Sequence, residues 1–158
     1  MKILVVLGEG GHTTELLKLV DLLDDQHQYH YVVSEEDNLS IAKISKQGPI
    51  HRLWRPRGKK TRLPIALLRT VGVGVQSLLV LLRVRPKAIL STGPAIAVPI
   101  SLLGKLLRIR IIFVETGSRV TSLSLTGRIM YNIADLFFVQ WPQLKEKWPR
   151  ARYEGRLL

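Results

Sequence analysis

Met1-Lys-Ile-Leu-Val-Val-Leu7-Gly8-Glu9-Gly10-Gly11-His12-Thr13-Thr14-Glu15 decides how the rest of the chain is read. Lys2–Leu7 is a short, continuous apolar run that ends at a glycine, the pattern of a strand buried on both faces of a parallel sheet. Leu16, Leu17, Val20 and Leu23 then recur at helical spacing, so Thr13–Leu23 reads as a helix. Strand, glycine loop and helix start together make a place where backbone N–H groups can meet an anion. The loop lacks the last glycine of the dinucleotide fingerprint, because Thr13 stands there. A plain tight turn is the alternative reading.

The same alternation continues along the chain. Strands are expected at Tyr29–Ser34, Ile50–Trp54, Lys87–Leu90, Ile109–Val114 and Leu136–Val139. Helices are expected at Leu39–Ser45, 64–82, Ala95–Leu107, Leu123–Ala134 and Gln143–Lys147. This is an α/β, doubly wound, mostly parallel six-stranded sheet of Rossmann-like type, in one domain spanning 1–158. Such sheets bind ligands at the carboxyl ends of their strands. Those ends bring forward Gly10, Gly11, His12 and Thr13 from the first loop and Thr92 and Gly93 from the fourth. Glu115 and Arg119 come from the fifth, and Gln140 and Trp141 from the sixth. At a helix start the positive end of the dipole disfavours imidazolium, and a neutral His12 could accept a proton from a hydroxyl. Glu115 could also act as a base or bind sugar hydroxyls, and Arg119 could grip a phosphate in bidentate fashion. A surface ion pair between these two is the bland alternative.

Charge narrows the partners. The chain has 24 Lys+Arg and 12 Asp+Glu, a formal net charge of +12. Residues 1–50 carry 4 basic and 8 acidic groups, whereas 51–158 carry 20 basic and 4 acidic. From His51 to Arg110 there are 13 basic residues and no acid. A field of one sign over such a length seeks a polyanion. The densest run holds Arg52, Trp54, Arg55, Arg57, Lys59, Lys60 and Arg62, and its prolines and Gly58 argue for a loop. The apolar segment 63–82 follows, with Arg69 its one charge. Basic loop and apolar helix form a membrane-facing insertion that would rest on an anionic leaflet, each cation contributing about 1 kcal/mol. A core helix with a solvated basic rim is the alternative. Spanning the bilayer is disfavoured, since strands precede and follow the segment and would be divided between its two sides.

Other classes fall away. Absence of cysteine excludes disulfides, thiolate metal sites and a cysteine nucleophile. There is no D-x-D motif for a divalent cation, and His27 and His30 have no third ligand nearby, so no metal is expected. The aromatics are not interleaved with the basic run and no DNA or RNA motif occurs, so nucleic acid is not the expected partner. Met1 leads directly into a strand, so no signal peptide is expected.

Several segments carry a family likeness. They are Gly10-Gly11-His12-Thr13, Arg85-Pro86, Thr92-Gly93-Pro94, Glu115-Thr-Gly-Ser-Arg119-Val, Leu123-Ser-Leu-Thr-Gly127, Ala134-Asp135, Val139-Gln140-Trp141-Pro142 and Tyr153-Glu-Gly155-Arg-Leu. Together they resemble the membrane-associating, acceptor-side subunit of the split UDP-N-acetylglucosamine transferase of asparagine-linked glycosylation. They equally resemble its relatives in capsule and exopolysaccharide synthesis, a glycosyltransferase family 28-like group. The resemblance implies the N-terminal half of a GT-B glycosyltransferase that inverts the anomeric carbon without a catalytic metal or cofactor. It implies a polyprenyl-diphosphate sugar acceptor, a separate donor-binding partner that holds the UDP-sugar, and a peripheral place on the cytoplasmic face of a membrane. In that scheme Gly10, Gly11, Thr13 and Arg119 face the diphosphate, His12 or Glu115 is the base, and Gln140 and Trp141 face the partner. A non-catalytic membrane recruiter of the donor subunit and a nucleotide-binding oxidoreductase are the competing readings.

Overall fold

The computed structural model describes residues 1–8, 10–54 and 63–157, with side chains for all of these except 63–70. Strands β1 (Lys2–Val6), β2 (Gln28–Ser34), β3 (Ile50–Leu53), β4 (Ala88–Ser91), β5 (Arg110–Val114), β6 (Leu136–Val139) and β7 (Arg152–Tyr153) form one sheet in the order β3-β2-β1-β4-β5-β6-β7. Every pairing is parallel. Helices α1 (Gly11–Leu22), α2 (Asn38–Ile41), α3 (Leu63–Val84), α4 (Ala97–Leu106), α5 (Leu125–Ile133) and α6 (Pro142–Lys147) connect the strands.

Strand alternation sorts the core into two layers. Leu4, Val6, Val32, Ile89, Ile111 and Phe113 join Leu81, Ile100, Met130 and Leu144 of α3 to α6 in one cluster. Ile3, Val5, Tyr31, Val33 and Leu90 join Leu16, Leu17 and Val20 of α1 in the other. The sheet therefore has helices on both faces, as a doubly wound fold requires. The chain runs outward from β1 to β3, returns through α3, and resumes at β4 beside β1. That reversal opens a crevice at the carboxyl ends of β1 and β4.

The sheet has one strand more than expected. Residues Arg152–Tyr153 pair with Phe138 and Val139, but both are exposed and two residues carry no periodicity to read. Helix α2 is shorter than the expected Leu39–Ser45. Helix α3 ends where Arg85 adopts φ 51° and Pro86 follows, a left-handed residue and a proline that stop the α-helical ladder.

Candidate functional site

The glycine loop and the β4 loop are clasped together. Helix α1 begins at Gly11, no side chain caps it, and its first turn holds no acid. Gly10 has φ 70°, a left-handed conformation that favours glycine. Gly10 and Gly11 face open space, since a Cβ on either would meet nothing within 4 Å. The backbone there is bare and lies at the positive end of a helix, which suits an anion. Thr13 points the other way. Its hydroxyl is fully buried, donates to the Gly8 carbonyl, and lies 2.8 Å from the Ser40 hydroxyl. Asp37 caps α2 by accepting from the Ser40 amide at 2.9 Å and also takes the Ser40 hydroxyl. Thr13 thus ties the start of α1 to α2.

His12 is the second residue of α1 and is half-buried. The buried Thr92 hydroxyl donates to the His12 carbonyl at 2.8 Å. Gly93, at φ 103°, lies against the imidazole, so that a Cβ there would stand 3.5 Å from Cε1. The ring Nδ1 is buried and has no hydrogen-bond partner among the described residues. Gly10, Gly11, His12, Thr92 and Gly93 are thereby gathered at the crevice, whereas the Thr13 hydroxyl, expected to face a diphosphate, is turned into the interior.

Glu115 lies at the end of β5 and has no exposed surface. Its carboxylate accepts from the Ser124 amide at 3.0 Å, the Ser124 hydroxyl at 3.1 Å and the Thr116 amide at 3.1 Å. Burial pushes its acid form upward, and the Ser124 and Thr116 donors oppose that shift. Ser124 in turn caps α5 by accepting from the Gly127 amide at 2.8 Å. A Cβ on Gly127 would fall 1.8 Å from a Glu115 oxygen, so a larger residue there must displace that buried carboxylate. Arg119 is exposed in the same loop.

A second buried carboxylate, Glu15, stands beside this one, and composition gave no signal for its role. It accepts from the Thr116 hydroxyl at 2.9 Å, the Gly117 amide at 3.1 Å and the Gln140 amide at 3.0 Å. Gln140 turns inward. It is 2% exposed, donates to the Glu115 carbonyl, and accepts the Leu157 amide. Trp141 stays half-buried at the surface, with its indole N–H on the Gly117 carbonyl at 2.7 Å and Arg156 over its ring at 4.6 Å. Next to it, Leu19, Leu22, Val114, Phe138 and the 154–157 tail enclose an apolar slot of about 300 Å³.

Helix α3 is two-sided. Val73, Ser77, Leu81 and Val84 are buried, whereas Val71, Val75, Leu78, Leu79 and Leu82 form an exposed apolar stripe. Over the described side chains the core reading of the segment holds for one face, and the other face is left exposed. Trp54 is 49% exposed and packs on Gly72, where a Cβ would come within 2.9 Å of its ring. Arg52 is engaged with the Glu35 carbonyl at 2.7 Å and the Asn38 side chain at 2.8 Å. Arg55, Arg57, Lys59, Lys60 and Arg62 lie outside the described residues, and Arg69 falls where only the backbone of α3 is described. Among the described residues no helix is long and apolar enough to cross a membrane.

The family described as "Oligosaccharide biosynthesis protein Alg14 like" matches residues 3–157. The human UDP-N-acetylglucosamine transferase subunit ALG14 is 36% identical over 180 residues, covering 100% of this chain and 83% of that protein. The Schizosaccharomyces pombe subunit alg14 is 36% identical over 173 residues, covering 97% and 81%. Among solved structures, MurG of Acinetobacter baumannii superposes with a TM-score of 0.74 at 18% identity over 90% of this chain and 42% of its own. The UDP-GlcNAc 2-epimerase of Neisseria meningitidis gives 0.73 at 13% identity over 99% and 47%. The chain thus spans less than half of those two structures, and at such identity they speak for the Rossmann-like fold alone. By sequence along nearly its whole length, the chain belongs to the Alg14-like family of oligosaccharide biosynthesis proteins.

Proposed function

We propose that this protein is the acceptor-binding, membrane-docking subunit of a two-component inverting glycosyltransferase. Its substrate is a polyprenyl-diphosphate-linked sugar, and a partner subunit supplies the UDP-sugar, in keeping with the names of the curated relatives. The observation that carries the reading is His12. Its imidazole has a buried nitrogen without a partner among the described residues and sits at the start of α1 beside the exposed Gly10-Gly11 backbone. The backbone amides and Arg119 receive the diphosphate. His12 takes the proton of the acceptor hydroxyl, and the oxygen attacks the anomeric carbon of the partner's donor. The bond to UDP breaks, and UDP leaves with the electron pair. Glu115 supports this site from below, because among the described residues its carboxylate is held by its own loop and it has no exposed surface.

Docking follows from the two surfaces described. The apolar stripe of α3 and Trp54 enter the leaflet interface on its cytoplasmic face, and the positive charge of the 52–62 run supplies the attraction to acidic headgroups. Trp141 and the adjoining apolar slot receive the donor-binding partner.

The test is reconstitution. The purified chain and its candidate donor-binding partner are combined on vesicles carrying a polyprenyl-diphosphate sugar, with labelled UDP-N-acetylglucosamine. Label should enter the lipid fraction only when both proteins are present. Transfer that proceeds equally without this chain would refute the proposal. Full turnover by the His12→Ala variant would reduce the chain to a recruiter.

A further inference from the structure

The amino ends of the strands hold a second cluster, on the sheet edge opposite the glycine loop. Lys2 opens β1, His30 lies early in β2, His51 is the second residue of β3, and Arg83 lies in the last turn of α3. With Pro49 and Ile50 they line an open pocket of about 400 Å³. The two imidazoles stack with centroids 5.6 Å apart and planes 15° apart. His30 Nδ1 and His51 Nε2 are 3.3 Å apart, so one ring donates and the other accepts.

Four elements thus bring cationic or protonatable groups to one cavity that, among the described residues, no acid lines. Like charges so placed repel one another. Burial and Lys2 lower the basicity of His30, while burial, His30 and Arg83 lower that of His51. An anion in the pocket would be attracted to each of these groups when charged and so offset their mutual repulsion. A tetrahedral oxyanion suits the geometry, since it offers several acceptors to a guanidinium fork, an ammonium and an imidazole N–H at once.

We propose that Lys2, His30, His51 and Arg83 form a binding site for a phosphate-class anion, held more tightly when the histidine pair takes up a proton. Exposed Leu79 lies one helical turn before Arg83, so the phosphate can come from a lipid headgroup or from a soluble molecule. The site is separate from the His12 crevice and does not depend on the transferase reading.

The experiment follows the histidine ring resonances of the full chain by NMR during titration with inorganic sulfate and then phosphate. Sulfate keeps its charge between pH 6 and 8, unlike phosphate, so any change in its affinity belongs to the protein. Both His30 and His51 should shift saturably, with sulfate affinity at pH 6 at least about fivefold above that at pH 8. His51→Gln should flatten that ratio, and Arg83→Gln, a change at an exposed position, should weaken binding at both pH values by roughly threefold or more. Ring resonances unmoved by either anion, or equal binding by wild type and both variants, would overturn the site. Co-sedimentation with phosphatidylcholine vesicles, with and without phosphatidic acid, identifies the source. Retention on the acidic vesicles that is lost in both variants points to a headgroup. Equal retention, with free phosphate still bound, points to a soluble ligand.

Discussion

Glu15 accepts the side-chain amide of Gln140 at 3.0 Å across 125 residues of chain. It also takes the Gly117 amide and the Thr116 hydroxyl, so one carboxylate joins α1 to the loop after β5 and to the end of β6. The first turns of α1 and the ends of β5 and β6 are thereby held together.

Removing that carboxylate should cost stability. Glu15→Ala removes the shared acceptor of Thr116, Gly117 and Gln140, leaving Gln140 only the Glu115 carbonyl and Thr116 only the Ser118 hydroxyl, and about 2–4 kcal/mol of unfolding free energy should be lost. Denaturant midpoints at unchanged slope measure it. A loss under about 1 kcal/mol would mean water replaces the carboxylate.

Glu115 and Gly127 should fail together. Gly127→Ala drives a methyl group into the space of a Glu115 oxygen and should destabilise by about 3 kcal/mol or more. Glu115→Gln isolates the protonation term. The native acid form of Glu115 is favoured by burial, so its stabilising contribution is complete below the ordinary value of 4.5 and is lost as pH rises through the raised native value. Relative to the Gln variant, wild type should therefore gain stability on acidification through that window, as paired melts at several pH values would show.

The histidine pair gives the opposite trend. Both native values lie below 6.5, so the folded state resists protonation. Their contribution to stability is complete above about 6.5 and falls as pH drops through the lowered native values. Wild type should lose stability over that range relative to His30→Asn/His51→Asn, and sulfate should suppress the loss.

His12→Ala should lower turnover of the reconstituted pair by about 10²–10⁴ while the fold stays within about 1 kcal/mol of wild type. The ring is half-buried and its carbonyl bond to Thr92 is independent of the side chain. Initial rates set beside a thermal melt separate chemistry from folding.

Aspartate at Val75, Leu79 and Leu82 together should reduce binding to anionic vesicles by about tenfold or more, because apolar area on the exposed face no longer leaves water. The same variant should melt like wild type, since these positions contribute to neither core cluster. Unchanged sedimentation with vesicles would remove α3 as the docking face.

The family segments and the strand–helix alternation were legible in the residues. Continuous apolar runs such as Ile3–Leu7 have no other economical burial than a parallel sheet, and the Gly10-Gly11-His12-Thr13 loop announced its edge. The candidate site was legible only in part. Gly10, Gly11, His12, Thr92 and Gly93 converge because β1 and β4 are neighbours. Glu115, expected as a base at a strand end, and Gln140, expected to face a partner, turn into the interior because Ser124 and Glu15 meet them there.

Sequence by itself determined the alternating elements, the basic imbalance after residue 50 and the family, since periodicity, charge and motif are properties of order along one chain. Only tertiary structure decided which carboxylates are buried, which face of α3 stays bare, and that His30 meets His51. Those depend on contacts between residues far apart in sequence, where burial and pairing set the behaviour of a charge more than its identity does.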